Sequence, residues 1–303
     1  MHIIEIQEIT KTFGKIKAVD NLSLTVPKGS IYGFIGPNGS GKTTTLRMIM
    51  NIFYPDNGSI KVFGEKLSGS PSDRISYLPE ERGLYQKMKV KEVLKYYGSL
   101  KNGKNLNKEV DYWLERLGLT EWGGKKVSTL SKGMSQKVQF ISSVISKPEL
   151  LILDEPFTGL DPVNTDILKD EILKLQKNGT TIIFSTHDMS IAEKMCDFIF
   201  MIFKGKKVLD GTLSDIQSKY GNDTIRISCE DGVSALQNID EIEKINDFGQ
   251  IQELRMSQGG DSQKVLSSIL SRTRVNSFEL ANPSLHDIFV RIAKPQDLEV
   301  DHA

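Results

Sequence analysis

Two patterns of apolar residues alternate through most of the chain: short continuous runs, and apolar residues spaced three or four positions apart. Compact apolar runs typical of buried strands occupy residues 31–35, 150–153, 180–184 and 198–203. Apolar residues also recur at intervals of three and four, the spacing of one helix face, at residues 44–52, 167–175 and 191–195. Strands and helices that alternate in this way predict a parallel sheet connected by crossover helices.

Other patterns flank this alternation. The first residues predict a hairpin, with strands at 3–6 and 22–26 and a turn at 13–15. A polar, helix-rich stretch covers residues 90–119, where Asn102-Gly103 indicates a turn between two helices. This middle stretch therefore predicts a helical subdomain, which we place at about residues 86–146.

The pattern changes near residue 220, and we place a domain boundary there, between residues 1–220 and 221–303. Residues 225–227 alternate like a half-exposed strand, 265–270 favour a helix, and 275–280 favour another strand. Ser284 and Asp287 have the spacing of a capping box at the start of a last helix. The second domain is therefore predicted to be a small α+β unit.

Composition excludes several classes of protein. The 303 residues fit two domains of roughly 150 residues each, and one large α/β domain would also fit. The longest apolar run has six residues, whereas a membrane-spanning helix needs about 20. The N-terminus carries Glu5 and Glu8 and has no apolar core, so we do not expect a signal peptide. Two isolated cysteines, Cys196 and Cys229, indicate buried free thiols rather than a disulfide framework or a metal site.

The net charge of zero hides an asymmetry. From residue 222 onward the chain has 8 basic and 14 acidic residues, so the rest holds 31 basic and 25 acidic residues. A nucleic-acid binder usually has a basic excess, which argues against such a partner here. The chain is therefore predicted to combine a mildly basic body with an acidic second domain.

The strongest chemical motif is the phosphate-binding loop at residues 36–43, GPNGSGKT, which fits the pattern GxxxxGK[ST]. It lies between a predicted strand and a predicted helix, as the motif requires. Its glycines allow backbone amides to turn toward phosphates, and the next helix presents its positive end to the anion. Lys42 is placed to reach the β and γ phosphates, and Thr43 to bind Mg²⁺.

A second motif follows the buried strand at 150–153, where Asp154 and Glu155 end an apolar run. Ligands bind at the carboxyl ends of strands in open α/β sheets, so these carboxylates are candidates for chemistry. Asp154 would hold Mg²⁺, and Glu155 would act as general base toward water. The alternative is a solvated Asp-Glu turn.

The run Leu130-Ser131-Lys132-Gly133-Met134 resembles the signature of the ATP-binding cassette family, and it lies shortly before the Asp154 strand as in that family. The resemblance covers residues 3–220. It implies a RecA-like P-loop NTPase core with an antiparallel β subdomain and a helical subdomain. It also implies ATP and Mg²⁺ as cofactors and ATP hydrolysis as the activity.

The resemblance carries over to individual positions. Phe13 takes the place of the aromatic residue that stacks on adenine, although a packing role is the alternative. Asp161 lies in a sequence like the family's D-loop, and His187 corresponds to its switch histidine. The implied nucleotide-binding residues are Phe13, Gly36, Asn38, Gly39, Ser40, Gly41, Lys42, Thr43, Thr44, Ser131, Gly133 and Asp161. The implied catalytic residues are Glu155, His187 and Lys42, and the implied metal ligands are Thr43, Asp154 and Glu80.

Two positions depart from the family pattern. In the signature, Lys132 replaces a glycine and Met134 replaces a glutamine, while Ser131 and Gly133 remain. Glu80 stands where the family usually has glutamine, which can both donate and accept hydrogen bonds. An ionised glutamate only accepts, so it could still bind Mg²⁺ or orient water. The alternative is a surface carboxylate paired with Arg82.

The resemblance also implies partners. It suggests a subunit that pairs head to tail with a second copy and drives a separate transmembrane permease at the cytoplasmic face of the membrane. With the run NPSLHDIF at residues 282–289, the C-terminal segment resembles the tail of bacterial multidrug or antibiotic exporter subunits, and the run YLPEERGLY at residues 77–85 resembles the same subunits. The alternative for the C-terminal segment is a packing or dimerisation domain. The rivals are a soluble cassette ATPase that acts on ribosomes or DNA, and a regulatory module without hydrolysis.

Overall fold

The computed structural model describes residues 1–67, 72–81, 83–101, 106–220, 223–257 and 259–297. The predicted turn at Asn102-Gly103 and the residue Arg82 lie outside these ranges. The chain divides into two units, Met1–Gly211 and Thr212–Ala303. In the described ranges, no helix combines the length and the apolar character needed to cross a membrane.

The first unit contains two sheets. Its strands are β1 (His2–Phe13), β2 (Ile16–Pro27), β3 (Ile31–Ile35), β4 (Asn57–Val62), β5 (Glu65–Lys66), β6 (Ile75–Leu78), β7 (Leu150–Asp154), β8 (Thr181–Thr186), β9 (Phe198–Phe203) and β10 (Lys206–Gly211). Its helices are α1 (Lys42–Ile49), α2 (Val90–Ser99), α3 (Asn107–Arg116), α4 (Lys132–Val144), α5 (Pro162–Lys177) and α6 (Met189–Met195).

The larger sheet has the strand order β10-β9-β3-β8-β7-β6, and every pair except β10 with β9 is parallel. Strands β3, β7 and β8 are buried along their whole length, as their continuous apolar sequences predict. The parallel sheet with crossover helices is therefore confirmed. Because Asp154 pairs with Ser185, the ends of β7 and β8 lie side by side.

The smaller sheet is antiparallel, with the order β2-β1-β4-β5. Strands β1 and β2 form the predicted hairpin, since Phe13 pairs with Ile16 across the turn at Gly14. The predicted antiparallel subdomain is thus present. Apolar residues from this sheet pack with α1 and one face of the larger sheet in a continuous core.

The helices α2, α3 and α4 pack together around a second core. The Trp113 ring of α3 lies edge to face against Phe140 of α4, with ring centroids 6.0 Å apart. Apolar side chains of α2, including Val93 and Leu94, are fully buried in the same cluster. The cluster continues onto β7 through Leu151, so the helical region packs directly against the larger sheet.

The second unit has its own four-stranded antiparallel sheet and its own core. Its elements are α7 (Leu213–Lys219), β11 (Thr224–Cys229), β12 (Ile242–Asp247), β13 (Gln252–Met256), α8 (Ser262–Leu270), β14 (Val275–Ala281) and α9 (Leu285–Asp297). The strand order is β12-β13-β11-β14. Ser284 and Asp287 form the predicted capping box, because each backbone N–H donates to the other side chain. Cys196 and Cys229 are both free thiols, as predicted.

Some bounds differ from the prediction. The helix α1 ends at Ile49 rather than at residue 52, because Asn51 adopts a left-handed conformation with φ of 57° that stops the helix. The sequence pattern also missed β6, whose apolar run is interrupted by Ser76 and Tyr77. The Tyr77 hydroxyl donates a hydrogen bond to Asp154, and the Ser76 hydroxyl accepts one from Lys101. Because both hydroxyl groups are hydrogen-bonded, their burial in a strand does not cost the free energy of an unpaired polar group.

Candidate functional site

The predicted phosphate-binding loop connects β3 to α1, and two of its glycines are required by close backbone contacts. A Cβ atom on Gly36 would lie 2.2 Å from the carbonyl oxygen of Ile202. A Cβ atom on Gly41 would lie 2.4 Å from the carbonyl oxygen of Ala18, and Gly41 has a φ of 109°. The loop therefore curls tightly against neighbouring backbone in a conformation that side chains would block.

The Lys42 side chain folds back over this loop. Only 6% of the residue is exposed, and its Nζ donates hydrogen bonds to the carbonyl oxygens of Gly36 at 2.6 Å and Pro37 at 3.1 Å. Burial lowers the pKa of Lys42, while the negative charges of Glu155, Asp154 and Glu80 act in the opposite direction. The structure thus places three predicted site carboxylates within electrostatic reach of the predicted phosphate-binding lysine.

The loop offers donors that fit phosphate groups. The hydroxyl of Ser40 is buried and has no hydrogen-bond partner among the described residues. The backbone amides at the start of α1 have no intrahelical acceptor, as in any helix. An unpartnered hydroxyl, helix N-terminal amides and a buried ammonium form the donor set that a polyphosphate requires. The residues present therefore fit the phosphates of ATP.

Asp154 lies at the end of β7 and is fully buried. Its Oδ2 accepts a hydrogen bond from the Tyr77 hydroxyl at 3.2 Å, and its Oδ1 accepts one from the Ser185 hydroxyl. The Ser185 hydroxyl oxygen also accepts a hydrogen bond from the backbone N–H of Glu155 at 3.1 Å. Sequence reasoning missed Tyr77 and Ser185 as partners of Asp154. The available signal was a polar residue inside each strand next to β7.

Glu155 follows Asp154 in a strained conformation, with a φ of 50° for a residue that is 8% exposed. Its Oε1 lies 3.0 Å from Nδ1 of His187, which follows the end of β8. Because an ionised carboxylate only accepts, the imidazole nitrogen is the donor. Both residues line an open cavity of about 550 Å³ that Gly159 and Leu160 also border.

Glu80 is exposed, and the backbone on either side of it is held by hydrogen bonds. The Gln139 amide of α4 donates to the carbonyl oxygens of Pro79 and Glu81, both at 3.1 Å. The Glu81 carboxylate accepts a hydrogen bond from Arg47 of α1 at 2.7 Å. The alternative pairing of Glu80 with Arg82 lies outside the described residues. Sequence reasoning did not identify Gln139 or Arg47.

The candidate adenine-stacking residue Phe13 is 44% exposed at the end of β1. Its ring lies edge to face against Phe53, with centroids 5.4 Å apart, and the Lys11 ammonium is 5.6 Å from its centroid. The structure leaves enough of the ring accessible for a planar base, while the contact with Phe53 also fits the alternative packing role.

The signature residues and Asp161 have their contacts outside the phosphate-binding loop. Ser131 caps α4 by accepting the backbone N–H of Met134 at 3.2 Å. Asp161 caps α5 by accepting the backbone N–H of Asn164 at 2.9 Å, and this bond helps to lower its pKa. Gly133 faces Leu160 of the D-loop-like segment. Across the described part of the chain, neither cap donates to or accepts from residues 36–43.

The predicted magnesium ligands are one hydroxyl, that of Thr43, and two carboxylates, those of Asp154 and Glu80. In the described ranges, no group of three or more His, Cys, Asp or Glu side chains is arranged to hold a metal ion. Thr43 is half-buried at the start of α1, and both oxygens of Asp154 already accept hydrogen bonds. The oxygen donors still suit Mg²⁺, which keeps several waters and takes one or two carboxylates together with substrate phosphates.

The chain is similar to known proteins along most of its length. Residues 19–158 match the family model described as ABC transporter, and residues 211–293 match the model described as ATP-binding protein DrrA1-3-like, C-terminal domain. The chain is 42% identical to the uncharacterized ABC transporter ATP-binding protein YhaQ of Bacillus subtilis, over 95% of this chain and 97% of that one. It is 30% identical to the linearmycin resistance ATP-binding protein LnrL of Bacillus subtilis, over 96% and 98%.

A solved structure extends the similarity to the fold. The ATP-binding subunit of an ABC transporter superposes with a TM-score of 0.68 at 27% identity, over 72% of this chain and 93% of that chain. The matched share fits the size of the first unit alone. These findings leave the roles of individual site residues as predictions.

Proposed function

Because the chain belongs to the ATP-binding subunits of ABC transporters and is an ATPase, we propose that it powers export through a separate transmembrane permease. The direction of transport is supported by LnrL, whose name assigns it to linearmycin resistance and whose similarity spans both units. The second unit also matches the C-terminal domain of an ATP-binding protein, so both units resemble parts of such subunits.

The residue roles that we propose follow the geometry around Lys42. Its ammonium would move from the carbonyl oxygens of Gly36 and Pro37 to the β and γ phosphates of ATP. Phe13 would stack on adenine. The same chain would make its other contacts to the phosphates through Gly36, Asn38, Gly39, Ser40, Gly41, Thr43 and Thr44.

Glu155 is the general base in this proposal. The carboxylate would accept a proton from the attacking water, while the hydrogen bond from His187 Nδ1 keeps the carboxylate in one orientation. This Glu155–His187 pair is the single observation that carries the assignment of hydrolysis to these residues. Mg²⁺, when bound, would neutralise phosphate charge, and Thr43, Asp154 and Glu80 are the residues that would hold it.

A second copy of a cassette would complete the site. Ser131 and Gly133 are on the surface or half-buried and make no hydrogen bond to residues 36–43 of the same chain within its described part. The N-terminus of α4 carries the positive end of a 13-residue helix, which suits a γ-phosphate presented by a partner. Asp161, at the N-terminus of α5, would contribute to the same contact between copies.

The permease would dock beside the helical region. A groove of about 340 Å³ lies between β6 and the helices α2 and α4, lined by Pro79, Leu84, Tyr97 and Leu100 among others. Next to it, Tyr85 is 51% exposed and packs against Tyr96 and Tyr97. An apolar, aromatic groove of this kind fits a short amphipathic helix, and a cytoplasmic segment of the permease is the occupant that we propose. The chain would then be held at the cytoplasmic face of the membrane.

The assigned base is tested by the Glu155→Gln variant, which keeps the size of the side chain but cannot accept a proton. With ATP and Mg²⁺, it should lose at least 99% of ATPase activity, on the order of the contribution of a general base. It should also form a dimer that retains ATP, measured by light scattering and nucleotide extraction. Glu115→Gln, an exposed carboxylate on α3, is the control. Hydrolysis at the parental rate by Glu155→Gln contradicts the assignment.

The docking groove is tested separately. Co-expressed with its permease partner, the parent chain should sediment with membranes. Leu100→Asp, which places a charge on the exposed edge of the groove, should release it into the supernatant. Phe248→Asp, at an equally exposed apolar residue of the second unit, is the matched control. Equal retention of Leu100→Asp and the parent contradicts this docking site.

A further inference from the structure

Gln139 of α4 joins two predicted functional segments. It lies eight positions after Ser131 on the same helix, and only 4% of the residue is exposed. Its Nε2 donates to the carbonyl oxygens of Pro79 and Glu81, the residues on either side of Glu80. Since carbonyl oxygens only accept, these two contacts fix the amide nitrogen toward the loop.

The same loop is fixed from its other side by α1. Arg47 donates to the Glu81 carboxylate at 2.7 Å, and this hydrogen bond lowers the pKa of Glu81. The helix α1 begins at Lys42, directly after the phosphate-binding loop. Residues 79–81 are therefore attached both to the helix that starts at Lys42 and to the helix capped by Ser131.

On the basis of the function proposed above, we propose that Gln139 is a positioning residue that places Glu80 according to the position of α4. The two hydrogen bonds hold the peptide groups that flank Glu80, so a shift of α4 carries the Glu80 backbone with it. A helix of 13 residues moves as a rigid element, which joins Gln139 to the cap at Ser131. Contact of Ser131 with a second copy is thereby transmitted to Glu80.

This arrangement predicts a specific kinetic signature. In the described part of the chain, Gln139 makes no hydrogen bond to residues 36–43, so loss of the amide should leave ATP binding intact. A displaced Glu80 should impair the chemical step, while Lys42 and the loop residues still hold ATP, so kcat should fall while KM for ATP stays the same. A purely structural role for Gln139 would instead lower thermal stability without separating kcat from KM.

The test uses the full chain and the Gln139→Met variant, which keeps the length of the side chain but cannot donate. We expect kcat to fall about tenfold, with KM for ATP and the ATP affinity from titration within twofold of the parent. In a Glu80→Ala background, the same Gln139→Met change should alter kcat less than twofold, because the group that Gln139 positions is gone. Ser99→Ala, on α2, removes a hydroxyl that donates to the carbonyl oxygen of Tyr96 within its own helix and is the matched control.

The outcomes are distinguishable. Unchanged kcat in Gln139→Met, or equal fold-losses with and without Glu80, overturns the positioning role. Absence of ATPase activity in the parent overturns the proposed function, and with it the positioning role that rests on that function. If Gln139→Met does not fold, Gln139→Asn, which retains the amide on a shorter stem, should show a reduced kcat at unchanged KM. A parental kcat for Gln139→Asn also overturns the role.

Discussion

The Nδ1 atom of His187 lies 3.0 Å from Oε1 of Glu155. Glu155 follows the end of β7 and His187 the end of β8, two strands that pair in parallel. The carboxylate side chain is 10% exposed, while the imidazole is 60% exposed. A buried acid is thus oriented by a ring that is open to solvent, which is the arrangement expected of a base and its orienting partner.

Substitution of His187 should affect the chemical step rather than binding. His187→Ala removes the donor that orients Glu155, so we expect kcat to fall about 100-fold with less than a threefold change in ATP affinity. ATPase assays and equilibrium titration measure the two effects. His2→Ala, at an exposed histidine of β1, should behave as the parent. A fully active His187→Ala protein would remove the ring from the mechanism.

Substitution of Lys42 should affect binding itself. Lys42→Ala deletes the ammonium that lies over the phosphate-binding loop, and ATP affinity should fall roughly 100-fold, equivalent to about 3 kcal/mol. Isothermal titration with ATP measures the loss. Lys101→Met removes another largely buried lysine, whose Nζ donates to the Ser76 hydroxyl at 3.1 Å, and should leave ATP affinity unchanged. Parental affinity in Lys42→Ala would refute the role of the loop.

The contact between Gly33 and Cys196 should set the stability of the central sheet. A Cβ atom on Gly33 of β3 would lie 2.5 Å from the sulfur of Cys196. Gly33→Ala should therefore lower the free energy of unfolding by about 1–3 kcal/mol, the usual cost of overpacking. Chemical denaturation measures it, with Gly124→Ala in open space as the control.

The double variant Gly33→Ala with Cys196→Ala identifies the cause. Without the sulfur, the added methyl group has room, so the double variant should recover at least half of the lost free energy. Additive losses from the two single substitutions would show that the sulfur is not the atom that opposes the methyl group.

Asp188 should make the free energy of unfolding depend on pH in the acidic range. Burial acts to raise its pKa, but hydrogen bonds from Ser190 and Ile191 and the nearby His187 ring outweigh burial, so the pKa lies below 3.8. A lowered folded-state pKa contributes stability above the unfolded value and loses it as pH falls through the folded value.

The variant Asp188→Ala removes the cap of α6 and should cost about 1 kcal/mol at pH 7. Its difference from the parent should stay constant from pH 7 down to about 5 and shrink below the unfolded pKa of 3.8. Urea unfolding across this range measures it, with the exposed Asp240→Ala as the control. A difference that grows toward acid would contradict the sign.

The first unit should fold and bind ATP alone. A chain that ends at Gly211 retains every residue that we propose for ATP binding, and both cores of this unit lie within it. We expect ATP affinity within threefold of the full chain and a cooperative unfolding transition. Loss of ATP binding in a folded fragment would show that the second unit completes the site.

The larger part of the fold could be predicted from local pattern. The parallel sheet followed from apolar runs such as Ile31–Ile35 that are buried on both faces, since such strands need no polar side. The edge strands β6 and β12 could not be predicted in this way. Their apolar and polar residues alternate irregularly, and only the hydrogen bonds to a neighbouring strand define them. Asn51 and its left-handed φ ended α1 earlier than periodicity indicated.

Some features of the candidate site could also be predicted from the sequence, and others only from the structure. The sequence by itself determined the phosphate-binding loop, the acidic pair at 154–155 and the position of His187, because each depends on residue types at fixed spacing beside a predictable strand. Only the tertiary structure decided that Ser185 and Tyr77 hold Asp154, that His187 contacts Glu155, and that Gln139 holds the loop of Glu80. These partners are 31 to 77 residues apart in the chain. Strand order and helix packing bring them together, and no short-range pattern encodes which strands become neighbours.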